Sequence, residues 1–492
     1  MNPPDRISAS SLALGRPLRD HPKKYLALFH ALRDLIRGGA LPFATPLPSS
    51  RSLAKWHGLS RGTVNRAYEM LASDGDVSAR RGSATRVSWR APTAPGPRAS
   101  APITFSHWAR RLPSGPLVPP ASWESPFQPG HLDPGLFPRS EWRYWLRRAV
   151  RDANPSRWAP ILGVPELREA IAGDLGRRRG LRVDAEQVAI VHGSLQAIAL
   201  LCQLLLDPGG EAVMENPGYA GIQRAIRLSG GRVRYAGLDA KGVLPGPWSA
   251  RLAFLTPARQ FPTGVVTTTE RRHQILAWAA RRGALLVEDD YDAEFRRAGV
   301  PLEPLHILAP ERVVHLGSFS RTLSPFLRLG YAVLPQALVE PFRRAREAFE
   351  QQSATWIEQT ALAGFIRSGA YARHLRRANR AYALRHAAMA EGLARHLSGV
   401  FLPWPSDTGL HTYAEYTRGA PGFQRLLDGC ARRGIHLADA RRFHFKDPVP
   451  SAIFSFAQLP PQRILSLLEE IGRVHRAPKG RGMAKYRLEG SP

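Results

Sequence analysis

Apolar residues first recur at helical spacing at Tyr25, Leu28, Phe29, Leu32, Leu35 and Ile36, with Arg33, Asp34 and Arg37 on the opposite face and Gly38-Gly39 as a stop. A second, short helix is signalled by Leu47-Pro48-Ser49-Ser50-Arg51-Ser52-Leu53-Ala54, where a serine can cap the free amides and Gly58 supplies a left-handed exit. Ser60 caps a third helix, whose buried stripe is Val64, Ala67, Tyr68 and Leu71 and which Gly75 ends. Residues 77–80 and 84–89 read as two short strands around the turn Arg81-Gly82-Ser83. Three helices and a hairpin predict a winged helix-turn-helix over residues 21–90, behind an N-terminal tail of residues 1–20. Residues 91–121 open on Ala91-Pro92-Thr93-Ala94-Pro95-Gly96-Pro97, which has too little apolar content to pack, and predict a linker.

Beyond the linker, apolar strand-like runs at 187–192, 211–215, 251–256, 284–288, 313–316 and 331–334 alternate with helical segments. That rhythm belongs to a parallel sheet wrapped by helices. Residues 341–397 are long and helical, and the end mixes short strands with helices. The expected order is therefore a winged helix, then an α/β large domain (150–345) and a smaller α+β domain (346–475) within a body spanning 122–475. Residues 476–492 read as a basic disordered tail.

Length and charge sharpen this picture. At 492 residues the chain exceeds what one hydrophobic core serves, and its net charge of +29 favours polyanions such as nucleic acid. Residues 1–90 hold 15 Lys/Arg against six Asp/Glu, about twice the net charge density of the remainder. Cys202 and Cys430 make neither a disulfide framework nor a metal-ligand spacing, so no metal is expected and a reducing cytoplasm fits. The first residues lack the apolar core of a signal peptide, and the longest apolar run, residues 197–206, is too short for a bilayer; no membrane partner is expected.

On the outward side of the third helix stand Arg61, Thr63, Asn65 and Arg66. Arg and Asn can form forked hydrogen bonds to base edges, while Ser and Thr bond phosphates near a helix N-terminus. The ordered series Leu47-Pro48-Ser49-Ser50-Arg51, Leu59-Ser60-Arg61-Gly62-Thr63-Val64, Ala67-Tyr68-Glu69-Met70-Leu71 and Arg80-Arg81-Gly82-Ser83 resembles the GntR-type winged helix of bacterial repressors and activators. The resemblance implies a double-stranded DNA operator as partner. It implies that Arg51 contacts phosphate, that Ser60, Arg61, Thr63 and Arg66 sit at or in the major groove beside Asn65, and that Arg80 and Arg81 reach toward the minor groove. Ser83-Ala84-Thr85 departs from the family's glycine-containing wing tip.

The body carries a second series: Gly163-Val164-Pro165-Glu166-Leu167-Arg168, His192-Gly193-Ser194-Leu195-Gln196, Glu215-Asn216-Pro217-Gly218-Tyr219, Gln260-Phe261-Pro262-Thr263-Gly264, Glu288-Asp289-Asp290-Tyr291-Asp292-Ala293-Glu294-Phe295 and Ser318-Phe319-Ser320-Arg321-Thr322-Leu323-Ser324-Pro325-Phe326-Leu327-Arg328. This series resembles fold-type I aminotransferases, and the fusion order resembles MocR-type regulators. The resemblance implies pyridoxal 5'-phosphate as cofactor. The turn at Ser194 and Leu195 would hold its phosphate, as helix N-termini do for anions, with Ser318, Ser320 and Arg328 around it. Tyr219 would approach the ring face and Tyr291 the phenolate oxygen. Asp289, with Asp290 as the competing assignment, would pair with the ring nitrogen.

Three departures change the function expected. Arg321 occupies the Schiff-base lysine position, and a guanidinium cannot form the imine. Bulky Phe326 stands where a small glycine is usual, which would narrow the pocket, and Ile453 replaces the arginine that clamps a substrate carboxylate. Lys446 is the remaining lysine near a segment expected to approach the pocket. The chain accordingly reads as a homodimeric MocR-type transcription factor with no catalytic residue, its cofactor non-covalent at most or lost, leaving room for a small anionic effector. The rival readings are a working aminotransferase with a DNA-binding head and a purely structural dimeriser with a vestigial pocket.

Overall fold

The computed structural model describes residues 12, 22–79, 83–90, 104–113, 126–154, 156, 158–292, 294–297 and 303–476. The chain divides into two compact units, Met1–Thr104 and Phe105–Pro492.

In the first unit, helices α1 (Lys24–Arg37), α2 (Ser50–His57) and α3 (Arg61–Ser73) precede strands β1 (Val77–Ser78) and β2 (Arg86–Val87). The helices form where the apolar stripes lie: Leu28, Leu32 and Ile36 of α1, Leu53 of α2, and Val64, Ala67 and Leu71 of α3 close on one core. Ser49 and Ser60 accept the capping bonds from Ser52 N and Thr63 N at 3.1 Å each, and Gly58 takes the left-handed exit at φ 63°. The Tyr68 hydroxyl donates to Pro48 O at 2.8 Å and so fastens α3 to the segment that leads into α2. Among the described residues the wing strands pair antiparallel at Val77↔Val87 and Ser78↔Arg86, and residues 44–47 bond to the other edge of β2 and its flank. Arg80 and Arg81 lie outside the described residues. Leu12, placed in the N-terminal tail by the sequence reading, is instead buried in this core at 4 % exposure.

The second unit is built on seven strands: β3 (Val188–Val191), β4 (Glu211–Glu215), β5 (Arg232–Ala236), β6 (Leu252–Leu255), β7 (Leu285–Asp290), β8 (Val313–Ser318) and β9 (Gly330–Val333). Their spatial order is β3-β9-β8-β7-β6-β4-β5. The expected all-parallel sheet is corrected at one strand, since β9 runs antiparallel to both β8 and β3. The reason is the short β8–β9 connection, which holds one four-residue helix and a tight turn, too little for a parallel crossover. Helix α4 (Ser194–Leu205) follows β3, α5 (Phe319–Thr322) follows β8, and α6 (Ala370–His396) leads into the smaller domain. That domain has an antiparallel sheet of β10 (Phe401–Pro403), β11 (His411–Tyr416), β13 (Ser451–Ser455) and β12 (Ala438–Asp439), in that spatial order, covered by α7 (Pro461–Arg476). The segment expected as linker contributes a short helix, His107–Arg110, to this unit, and Arg111 reaches Leu228 O.

Candidate functional site

In the winged-helix unit, Arg51, Ser60, Arg61, Asn65 and Arg66 are exposed and Thr63 is half-buried. The capping pattern puts Arg61 at the first position of α3, with the Thr63 hydroxyl 2.8 Å from that of Ser60. The helix's first amides therefore face outward beside Arg61, a positive end suited to a phosphate. Arg66 is not loose on the surface: its guanidinium lies 4.4 Å from the centre of the Tyr25 ring of α1, which fixes its direction. Asp76, wholly buried, receives Arg37 at 3.1 Å and accepts Ser88 N and Trp89 N on its backbone oxygen, tying the wing to α1. Trp56, 62 % exposed on α2, is a large apolar group that the sequence reading passed over.

In the second unit the residues singled out from sequence gather at the carboxyl ends of the parallel strands, where open α/β sheets hold ligands. Gly193, at φ 92°, ends β3 and turns directly into α4, so Ser194 and Leu195 begin a helix with free amides. Arg328 stands over that turn, donating to His192 O at 3.1 Å, with its guanidinium 3.5 Å from where a side chain on Gly193 would begin. A methyl on Gly330 would meet the Gly193 Cα at 3.3 Å, so both glycines keep this corner open. The Ser318 hydroxyl caps α5 by accepting from Ser320 N at 3.2 Å, which leaves its own proton free to donate.

Successive residues at the end of β7 alternate faces, and this separates the two candidate aspartates. Asp290 is spent on a buried ion pair with Arg179 at 2.7 Å, and Glu288 on His315 at 3.1 Å. Asp289 points the other way. It is buried and bonded to the Ser194 hydroxyl, and its Oδ1, like oxygens of Asp290 and Asp292, has no hydrogen-bond partner among the described residues, but no described cation is paired with it as Arg179 is with Asp290. Burial, with Asp290 as a lesser cause, pushes its carboxyl up to about 7. An orphaned buried carboxylate oxygen beside a phosphate-binding corner fits a protonated ring nitrogen.

Tyr291 follows. Its hydroxyl accepts from Arg259 Nη1 at 2.7 Å, which leaves its own proton free to donate. Sequence reading missed Arg259, which is 2 % exposed and also bonds Thr408 O, His411 O and Asp292 Oδ2 at 3.0, 2.8 and 3.3 Å. The only available signal was its place directly before Gln260-Phe261-Pro262-Thr263-Gly264. Glu215, wholly enclosed, takes bonds from Thr256 N, the Thr256 hydroxyl and Gln260, and burial lifts its carboxyl to about 7. Through Gln260, which donates to Pro217 O at 2.8 Å, this knot holds the loop that presents Tyr219.

Arg321 sits on α5, half-buried, with Nη1 3.7 Å from where a side chain on Gly130 would begin. Its charge acts on Tyr219, Tyr291, Asp292 and His411, so it faces the same space as the ring-binding residues. One expectation is corrected here. Phe326 does not narrow the pocket: the Pro325–Leu327 turn directs it to solvent at 79 % exposure. Lys446 is exposed, with Nζ 5.8 Å from the centre of the Tyr235 ring, on a loop pinned by Asn216. Ile453 is fully buried among Phe261, Tyr413 and Phe443, where an unpaired guanidinium has no place.

Comparison with known proteins agrees with both halves. Residues 24–87 match the bacterial regulatory proteins of the gntR family, and residues 146–471 match aminotransferase class I and II. The probable rhizopine catabolism regulatory protein MocR of Rhizobium meliloti is 32 % identical over 452 residues, covering 88 % of this chain and 90 % of its own. The chain belongs to the MocR-type regulators. The pyridoxine biosynthesis regulator PdxR of Corynebacterium glutamicum is 34 % identical, covering 74 % of this chain and 78 % of its own. Among solved structures, the kynurenine aminotransferase of Pyrococcus horikoshii shares the fold of the body at a TM-score of 0.68 and 21 % identity, over 75 % of this chain and 96 % of its own. LysN, an α-aminoadipate aminotransferase of Thermus thermophilus, gives 0.66 at 26 %, over 75 % and 97 %. As a MocR-type chain it joins a DNA-binding head to an aminotransferase-fold body, and no helix among the described residues is long and apolar enough to cross a membrane.

Proposed function

We propose that this MocR-type regulator binds its operator as a homodimer and that its body holds a pyridoxal-phosphate-like anion without bonding to it covalently. The observation that carries this reading is the mismatch inside one pocket. The phosphate corner of Ser194, Leu195, Ser318 and Arg328 and the ring acid Asp289 fit the cofactor, while the motif resemblance puts Arg321 where the family carries its lysine. When bound, pyridoxal phosphate supplies an electron sink for amine chemistry. Here the chain's own residues bind and orient: Arg328 and the α4 amides would take the phosphate, Asp289 would hold a proton at the ring nitrogen, and Tyr291 would donate to the phenolate oxygen.

Two further points support the reading. The relative PdxR is described as a regulator of pyridoxine biosynthesis, and LysN was solved with N-(5'-phosphopyridoxyl)-L-leucine. Phe326, Phe349 and Trp158, exposed at 79, 74 and 66 %, are large apolar side chains suited to burial in a second copy. A two-fold protein in turn suits paired half-sites.

For the head, Arg51, Ser60, Arg61, Thr63, Asn65 and Arg66 form the groove-facing set. Arg61→Ala and Arg66→Ala are each expected to weaken binding to DNA from upstream of the protein's own and neighbouring genes by about tenfold or more, about 1–3 kcal/mol for a base contact, with the oligomeric state unchanged. Unaltered gel-shift affinity in both variants would remove the groove assignment.

A further inference from the structure

Arg321 differs from the other arginines around the pocket. Arg259 is bound to Tyr291 and Asp292, Arg179 to Asp290, and Arg328 to His192 O, whereas no described residue forms a hydrogen bond or ion pair with Arg321. Asp292 is paired with Arg259 and Asp290 with Arg179, and Arg321 acts on Asp292 only through its charge, without a hydrogen bond or ion pair. His411 adds no charge, because burial and then Arg259 push its ring well below its ordinary value, and its Nε2 is bonded to Pro262 O at 2.9 Å. A cation without a hydrogen-bonded partner among the described residues thus stands beside Gly130, close enough for its charge to act on Tyr219 and Tyr291.

This inference rests on the pocket reading above. By the resemblance, a ring held by Asp289, Tyr291 and the α4 amides would turn toward residue 321 the carbon to which a lysine would bond. A guanidinium stays protonated at any ordinary pH and offers paired N–H donors but no lone pair. An oxygen substituent, whether aldehyde or carboxylate, can accept from it, and a carboxylate can do so with two oxygens at once. An ammonium group there meets a like charge that cannot be removed.

We propose that Arg321 makes the pocket selective for a phosphorylated pyridine bearing an aldehyde or carboxylate at that carbon, and against the corresponding amine. The regulator then reads the oxidised forms of the ligand and ignores the aminated one. No bond is made or broken.

The test is calorimetric titration of the full-length protein with pyridoxal 5'-phosphate, 4-pyridoxic acid 5'-phosphate, pyridoxamine 5'-phosphate and inorganic phosphate, repeated with Arg321→Gln and Arg321→Met. The acid and the amine form the deciding pair, because neither condenses with surface lysines. The parent should bind the acid and the aldehyde at least tenfold tighter than the amine, and both variants should shrink that ratio to within about threefold while retaining the parent's melting temperature and phosphate affinity. Equal binding of acid and amine by the parent, or an unchanged ratio in folded variants, overturns the selectivity and leaves the pocket reading standing. If none of the three pyridines binds more tightly than inorganic phosphate, the pocket reading itself fails.

Discussion

Asp289→Asn separates a carboxylate kept for a ligand from one kept for the fold. Burial, and then Asp290, raise this carboxyl from 3.8 to about 7, with the Ser194 hydroxyl opposing. Above pH 7 its ionised form therefore costs the fold roughly 4 kcal/mol, at 1.36 kcal/mol per pH unit. The sign follows from proton counts. Between about pH 4 and 7 the folded chain holds a proton that the unfolded chain has released, so stability falls as pH rises through that window and is level on either side. Asparagine stays neutral throughout. Its carbonyl can accept from Ser194, but its amide group is left without a buried partner, at about 1–3 kcal/mol. The variant should thus be less stable than the parent near pH 4 and more stable near pH 8, with a swing of roughly 4 kcal/mol between the two. Glu215, also raised to about 7, titrates in both proteins and cancels in the comparison. Denaturant unfolding at pH 4 to 8 reads the swing directly. A stability difference that is constant across this range would mean that Asp289 titrates as an ordinary carboxyl and would refute the reasoning.

Two further substitutions probe the two units. Tyr68→Phe removes the bond to Pro48 O, and its loss of about 1 kcal/mol should speed amide exchange in α3 about fivefold; unchanged exchange would show that the bond does not hold the helix. Ile453→Arg places a charge among Phe261, Tyr413 and Phe443 and should destabilise the second unit by about 3 kcal/mol or more, seen as a lower melting temperature. A variant that melts like the parent would reveal a polar partner at that position.

The head was the more legible half of the chain. Its stripes have the period of a helix and its caps are serines at the positions that the geometry demands, so α1, α2 and α3 end where Gly38, Gly58 and Gly75 suggest. In the body, β5 escaped notice because Arg232 and Arg234 alternate with Val233 and Tyr235 at the sheet's edge, so it lacks the continuous apolar run of a central strand. The reversal of β9 was illegible for another reason: nothing in its apolar run distinguishes an antiparallel strand from a parallel one, and only the short connection decides. Motif spacing located Asp289, Tyr291 and Arg321, but it could not choose between Asp289 and Asp290. That choice depends on Arg179, which lies more than a hundred residues away in sequence and occupies the other face of β7. Arg259 stayed hidden because its four partners come from two segments distant in sequence, residues 291–292 and 408–411.

The central claim is that Arg321 turns a catalytic pocket into a binding one. Purified protein saturated with pyridoxal 5'-phosphate, reduced with borohydride and digested for mass spectrometry tests it most directly. The expected result is saturable retention of the cofactor before reduction and no adduct on a pocket residue after it. A stoichiometric reduced adduct, at Lys446 or any other lysine, with turnover of an amino donor, would contradict it.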